Sequence, residues 1–223
     1  MVMNVGAVRT SLSADQFAQR LREIGMFFEG SDSVHQTMRR VADRLDAAGI
    51  SYAIVGGMAV NAHHHERTTK DVDFLLSAAG FAAFRQLMSG EFSTVPGRPR
   101  RFVDAANGVT FDILVTGQYP GSGQPGPISF PDPATVGQTV GDLRVVDLPT
   151  LVQLKLAAGR YQDFADVVNL IRANALDESF QQRLAPSVHA DFIECLEEMR
   201  REDEYEARQD QNFRDAQGES GDH

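Results

Sequence analysis

The sequence predicts a mixed α/β (α+β) fold: a small mixed β-sheet flanked by helices and followed by a C-terminal helical region. Three observations carry this. Tyr52–Val55 is a short apolar run of strand type, ended by Gly56-Gly57. Asp71–Leu76 and residues 109–115 are two further β-rich runs. Around them apolar residues recur at helical spacing: Val34, Met38, Val41, Leu45 and Ala48 before, and largely helical sequence from Leu148 onward.

Taken in order, residues 14–28 are moderately amphipathic and read as a helix. A better one starts at Ser31 or Asp32 as N-cap and ends at Gly49. Strand Tyr52–Val55 follows, then a short helix over 58–62, strand Asp71–Leu76 and a helix over 81–88. Residues 101–104 and 109–115 form strands joined by a turn at Asn107-Gly108, a dipeptide suited to hairpins. Residues 117–133 are dense in proline and glycine and read as a long loop. Leu143–Val146 is a short strand, and Asp147 caps a helix over 148–159 with Pro149 in its first turn. Residues 177–214 are helical and strongly acidic, with Val188, Phe192, Cys195 and Met199 as an apolar stripe. The expected organisation is an N-terminal extension (1–30), a core (31–146), a helical domain (147–208) and a polar tail (209–223) expected to fray.

With 223 residues, 42% of them hydrophobic and 23% charged, the chain has the composition of a folded domain with a real core. A single cysteine, Cys195, excludes an internal disulfide framework and fits a reducing cytoplasm. No apolar stretch is long enough to span a bilayer, and the first fifteen residues hold no signal-peptide core. The expectation is a soluble cytoplasmic protein. A formal charge of −10 argues against a broad, non-specific nucleic-acid surface, but the local group Arg98, Arg100 and Arg101 leaves room for a small one.

The chemistry is concentrated in two short segments. Gly56-Gly57 allows backbone to approach a ligand closely, and a helix start beyond it favours a phosphate. Thirteen residues later stands Asp71-Val72-Asp73-Phe74. Side chains two apart on a strand share a face, so Asp71 and Asp73 point together. Two such carboxylates repel unless a cation lies between them, and Mg²⁺ suits the task because substrate phosphates complete its coordination. Asp112, alone in an otherwise apolar strand, is the candidate third ligand; the alternative is an ion pair with an arginine such as Arg101.

This order of motifs resembles the nucleotidyltransferase superfamily of polymerase-beta-like fold over roughly residues 50–172. Val55-Gly56-Gly57-Met58-Ala59-Val60 and Arg67-Thr68-Thr69-Lys70-Asp71-Val72-Asp73 look closest to its minimal bacterial branch, which holds type IV toxin–antitoxin toxins and antibiotic nucleotidyltransferases. The resemblance implies transfer of an NMP from an NTP, with Mg²⁺ or Mn²⁺ held by Asp71, Asp73 and Asp112. It places Gly56, Gly57 and Lys155 against the triphosphate; Arg67, just before the Asp71 strand, either belongs to a plain basic, hydroxyl-rich turn or neutralises phosphate charge as pyrophosphate leaves. The implied acceptor is RNA (tRNA among them) or protein, with an antitoxin as partner, or else an aminoglycoside-like antibiotic. A different class of reading is a regulatory nucleotide binder with a vestigial site. The family often carries Ser at or just after the second glycine; Gly57-Met58 has no hydroxyl, so phosphate contact there must come from backbone.

Several features admit two readings. His63-His64-His65 cannot all face one ion in a regular helix, so a polar helix end is favoured over a zinc site. Lys155 sits among Leu154, Leu156 and Ala157, where a lysine either extends its head to solvent or meets an anion. Asp163 and Asp166 are expected to bridge to Arg160 or Arg172. Acids such as Glu194, Glu197 and Glu198 could attract a cationic antibiotic; a solvated helix face is the plainer reading.

Overall fold

The computed structural model describes residues 30–88 and 90–218 together with Gln19, Met26 and Phe27, with residues 215–218 as backbone alone. The helix expected over 14–28 falls largely outside the described residues. Helix α1 (Ser33–Ala47) is capped by Asp32, whose carboxylate accepts from the backbone N–H groups of Val34 and His35 at 2.5 and 3.0 Å. Its buried face is Val34, Met38, Val41 and Leu45, the residues that the spacing selects. Gly49, at φ +64°, turns the chain into the sheet.

Strands β1 (Tyr52–Val55), β2 (Asp71–Leu76), β3 (Phe92–Val95), β4 (Arg98–Asp104), β5 (Thr110–Val115), β6 (Gly137–Val140) and β7 (Leu143–Val146) form one mixed sheet in the order β3-β4-β5-β2-β1-β7-β6. β1 runs antiparallel to β2, whereas β2 pairs in parallel with β5 and β1 with β7. The hairpin at Asn107-Gly108 forms as expected, but β4 begins at Arg98, three residues early. Two short edge strands, β3 and β6, carry no strong sequence signal: each has only four residues, and β6 is polar and largely exposed.

Alternation decides which side of the sheet is greasy. Val72, Phe74 and Leu76 of β2 align with Phe111, Ile113 and Val115 of β5, and all six are buried. Helix α3 (Ala78–Leu87) adds Phe84, whose ring lies 5.5 Å from Phe102 and 6.2 Å from Phe111 in edge-on contacts. Phe92 meets Phe111 at 5.2 Å, and Phe102 stacks on Phe111 at 5.4 Å. Such pairs add roughly 0.5–1.5 kcal/mol each beyond burial. A buried polar knot ties α1 to the hairpin: the Asp104 carboxylate accepts from Arg40 Nη2 at 2.5 Å and Thr37 Oγ1 at 2.8 Å.

The remaining helices are α2 (Gly56–Ala62), α4 (Pro133–Val136), α5 (Leu148–Ala158), α6 (Tyr161–Ala173), two 3₁₀ turns (Glu178–Arg183 and Pro186–Val188) and α7 (His189–Gly218). α5 has Asp147 as N-cap, which accepts from the Thr150 N–H at 2.8 Å, and Gly159 in the left-handed region as C-cap. One continuous apolar cluster runs from α1 through the sheet to Phe192, Cys195 and Leu196 of α7. The helix continues to Gly218, where the sequence expects a frayed end, and its residues from Arg201 to Arg214 are exposed. His63 caps α2, and its Nε2 donates to the Val146 carbonyl at 2.7 Å; burial pushes its pKa down. His64 is exposed with φ +69°, so the three histidines do not converge, as the helix geometry requires. No helix among the described residues is long and apolar enough to cross a membrane.

Phe111 is in contact with four aromatic neighbours, so Phe111→Ala should lower unfolding free energy by roughly 3–5 kcal/mol in urea denaturation. Phe213→Ala, on an exposed stretch of α7, should stay within about 0.5 kcal/mol of the wild type.

Candidate active site

On β2 the period of two sends Asp71 and Asp73 to the face opposite Val72 and Phe74. Strand register then brings the third acid alongside. Asp73 is paired with Asp112 of β5, and on its other side with Val55 of β1. The three carboxylates predicted from the sequence are therefore neighbours on one sheet face, at the edge of a cleft of about 640 Å³.

Gly56 follows Val55 directly and begins α2, two residues earlier than the sequence suggests. Its φ of +62° is already difficult for an L side chain. A Cβ there would lie 2.0 Å from Asp73 Oδ2, so the glycine and the aspartate specify each other. At Gly57 a Cβ would come to 3.0 Å from Thr69 and 3.3 Å from Arg67 Nη2. Both glycines line the cleft. The motif is a place of close approach, and at Gly56 the body it accommodates is the Asp73 side chain.

Burial pushes the Asp73 carboxyl up to about 7, with the charges of Asp71 and Asp112 as the next causes. Burial also raises Asp112, against the opposing pull of Arg101. Arg101 stands opposite Asp112 in the β4–β5 register. Its Nη2 donates to Asp71 Oδ2 at 2.5 Å and lies 3.5 Å from Asp112 Oδ2. Of the two sequence readings for Asp112, the arginine contact is present, and the acid also stands beside Asp73 in the strand register. The sequence already names Arg101 as a partner for Asp112, and counting back from the Asn107-Gly108 turn sets 101 across from 112.

The far wall of the cleft comes from α5 and α6. Lys155 is 7% exposed, and its Nζ donates to Asp163 Oδ1 at 3.0 Å and Asp166 Oδ2 at 2.6 Å. Arg67 Nη1 donates to both oxygens of Asp166 at 2.8 Å, and Arg160 Nε to Asp163 at 2.6 Å. Burial works against charge on Asp166, but Lys155 and Arg67 overcome it and hold the carboxyl below its usual range. Lys155 and Arg67 line the cleft, but their cationic heads are engaged by buried acids rather than left open. Asp166 bridges to those two and not to Arg172, which turns to Glu202 and Asp203 on α7. Three cations against two carboxylates still leave this wall positive.

The 117–133 loop closes the cleft from above. Gly117 N–H donates to the Phe130 carbonyl at 2.8 Å, and buried Ile128 and Phe130 anchor the loop. Gly121, at φ +66°, packs so closely that a Cβ would be 2.5 Å from the Ala158 carbonyl oxygen. Tyr119 and Ser122 thereby reach the cleft, two lining residues that nothing short of the folded loop could single out. Arg100 lines it as well, whereas Arg98 is exposed and outside the lining. Glu194 and Glu197 border a separate groove with Gln181 and His189, away from the carboxylates.

Among the described residues no three metal-binding side chains are gathered around a common point. The donor set nonetheless fits a hard divalent ion that arrives with phosphates, which asks for few carboxylates and supplies other oxygens itself. The elevated Asp73 pKa is the local sign: its charge is under-compensated.

The sequence matches no protein-family model and no curated protein. Solved structures with a similar chain course include JHP933 from Helicobacter pylori, at 13% identity and TM-score 0.41, covering 78% of this chain and 74% of that one. ANT(2")-Ia in complex with adenylyl-2"-tobramycin is similar at 10% identity and TM-score 0.43, over 71% of this chain and 96% of that one. The lincomycin-bound lincosamide antibiotic adenylyltransferase LnuA is similar at 16% and 0.42, over 60% and 94%.

Asp73 gives a pH test. Its folded pKa of about 7 lies above the ordinary 3.8, so protons favour the folded state. This contribution is full below about pH 4 and is lost as pH rises through 7. Without divalent ions, Asp73→Asn should flatten the fall in melting temperature between pH 5 and 8. At pH 8 it should be more stable than wild type by roughly 1–2 kcal/mol, allowing for the open cleft.

Proposed function

We propose that this chain is a divalent-metal-dependent nucleotidyltransferase that moves an NMP from an NTP to an acceptor hydroxyl or phosphate. The observation that carries the reading is the register of Asp71, Asp73 and Asp112 on adjacent strands, beside the two glycines and across the cleft from a cationic wall. Asp71, Asp73 and Asp112 would hold Mg²⁺ or Mn²⁺, which when bound supplies charge stabilisation at the phosphates. Gly56 and Gly57 leave backbone free to meet the triphosphate, and Lys155, Arg67 and Arg160 provide the positive potential that favours it. Asp112 serves the acceptor. It takes the acceptor proton as the new oxygen–phosphorus bond forms at the α-phosphorus and the bond to pyrophosphate breaks. A carboxyl raised by burial is a stronger base than an ordinary one, which favours that transfer.

Arg100 at the cleft favours an anionic acceptor such as RNA over a cationic antibiotic, because the acids that would attract the latter border a different groove. The test is labelled-NTP transfer to tRNA, to total protein and to aminoglycosides. Asp112→Asn should keep most NTP binding yet lose transfer by about a hundredfold or more. Absence of product from every acceptor with the wild type would leave a vestigial nucleotide binder. Replacing Arg98 and Arg100 by serine should weaken tRNA labelling and reduce its salt dependence. Unchanged labelling across salt concentrations would remove RNA as the acceptor.

A further inference from the structure

The position of Arg101 has consequences beyond the ion pair itself. An arginine carries five donors in a rigid fork and commonly grips a carboxylate with two of them. Arg101 does not. One nitrogen, Nη2, serves Asp71 at 2.5 Å and approaches Asp112 at 3.5 Å. Its Nε is buried and has no partner among the described residues. The side chain rises from β4 at the register position of Asp112 and crosses that residue to reach Asp71. It has been drawn over the carboxylate group at the expense of its own hydrogen bonding, and no contact joins it to Asp73.

We infer that Arg101 is the resident counter-ion of the carboxylate group, competing with a divalent ion for Asp71 and Asp112 until the phosphates of a nucleotide draw its guanidinium away. This rests on the nucleotidyl-transfer reading and deepens it: Arg101 is a positioning residue that couples metal binding to nucleotide binding. The metal oxygens on Asp71 and Asp112 are partly occupied without substrate, so a metal alone must displace a cation to bind. An incoming triphosphate offers that cation a doubly charged partner in the same cleft, and a phosphate suits the fork better than the single shared nitrogen does. Because β4 is held in the sheet on both sides, by β3 and β5, the exchange needs only side-chain rotation.

The experiment is equilibrium dialysis of the protein against Mn²⁺ alone and against Mn²⁺ plus ATP, in which the excess Mn²⁺ on the protein side counts only protein-held ions because Mn·ATP crosses the membrane freely. Wild type should bind Mn²⁺ alone weakly and gain strongly from ATP. Arg101→Met should bind Mn²⁺ alone about tenfold more tightly, as expected when a competing cation is removed from two carboxylates, and gain less from ATP. Arg101→Lys, which keeps the charge but loses the fork, should fall between them. If wild type binds Mn²⁺ with ATP but Arg101→Met binds Mn²⁺ alone no more tightly than wild type, the counter-ion role is wrong and the transfer reading survives. If neither protein binds Mn²⁺ with or without ATP, both are wrong. Circular dichroism checks that Arg101→Met is folded; if it is not, the same comparison is decided by Arg101→Lys, with affinity equal to wild type as the overturning result.

Discussion

Mutual repulsion of Asp71, Asp73 and Asp112 is the constraint to which the rest of the site responds. Parallel pairing of β2 with β5 sets Asp73 beside Asp112, and the two-residue period adds Asp71. Each neighbour then reads as an answer to that charge. Gly56 has no side chain because Asp73 occupies the space where one would be. Arg101 lies over Asp71 and Asp112, while burial together with those two acids raises Asp73 to about 7. A protein selected only for stability would not gather three acids here, since removing such charges is commonly neutral or favourable. The arrangement makes sense when a cation and phosphates complete it.

The scaffold keeps this tension local. Behind the acids, the same strands present Val72, Phe74, Phe111 and Ile113 to an aromatic core closed by Phe84 and Phe102. In front, α5 and α6 hold Lys155, Arg67 and Arg160 through the buried Asp163 and Asp166. Those acids orient the cations and fix them against the sheet, so that the cleft has one acidic and one basic wall.

The legible part of this site was the part written in local sequence. Gly-Gly after an apolar strand, alternating acids on β2 and a lone acid in β5 are read from a few residues, because glycine sterics and strand period act over that distance. Lys155 was legible as a residue and not as an interaction. Its partners lie one helix on, and Asp166 meets Arg67 across 99 positions of sequence, which only the packed α5–α6 pair can reveal. Edge strands β3 and β6 were hidden for another reason: four-residue strands whose pairing on one side supplies their stability have little need of propensity. The end of α7 went the opposite way. Its polar composition suggested fraying, yet the helix runs to Gly218, with Arg208 paired to Glu204 along it.

The central claim is that these carboxylates form a triphosphate site only in company with a cation. Calorimetric titration of ATP in the presence and absence of Mg²⁺, for wild type and Asp73→Ala, addresses it most directly. The account predicts binding that requires Mg²⁺ in the wild type and disappears in the variant. Equal ATP affinity with and without Mg²⁺ in both proteins would contradict it.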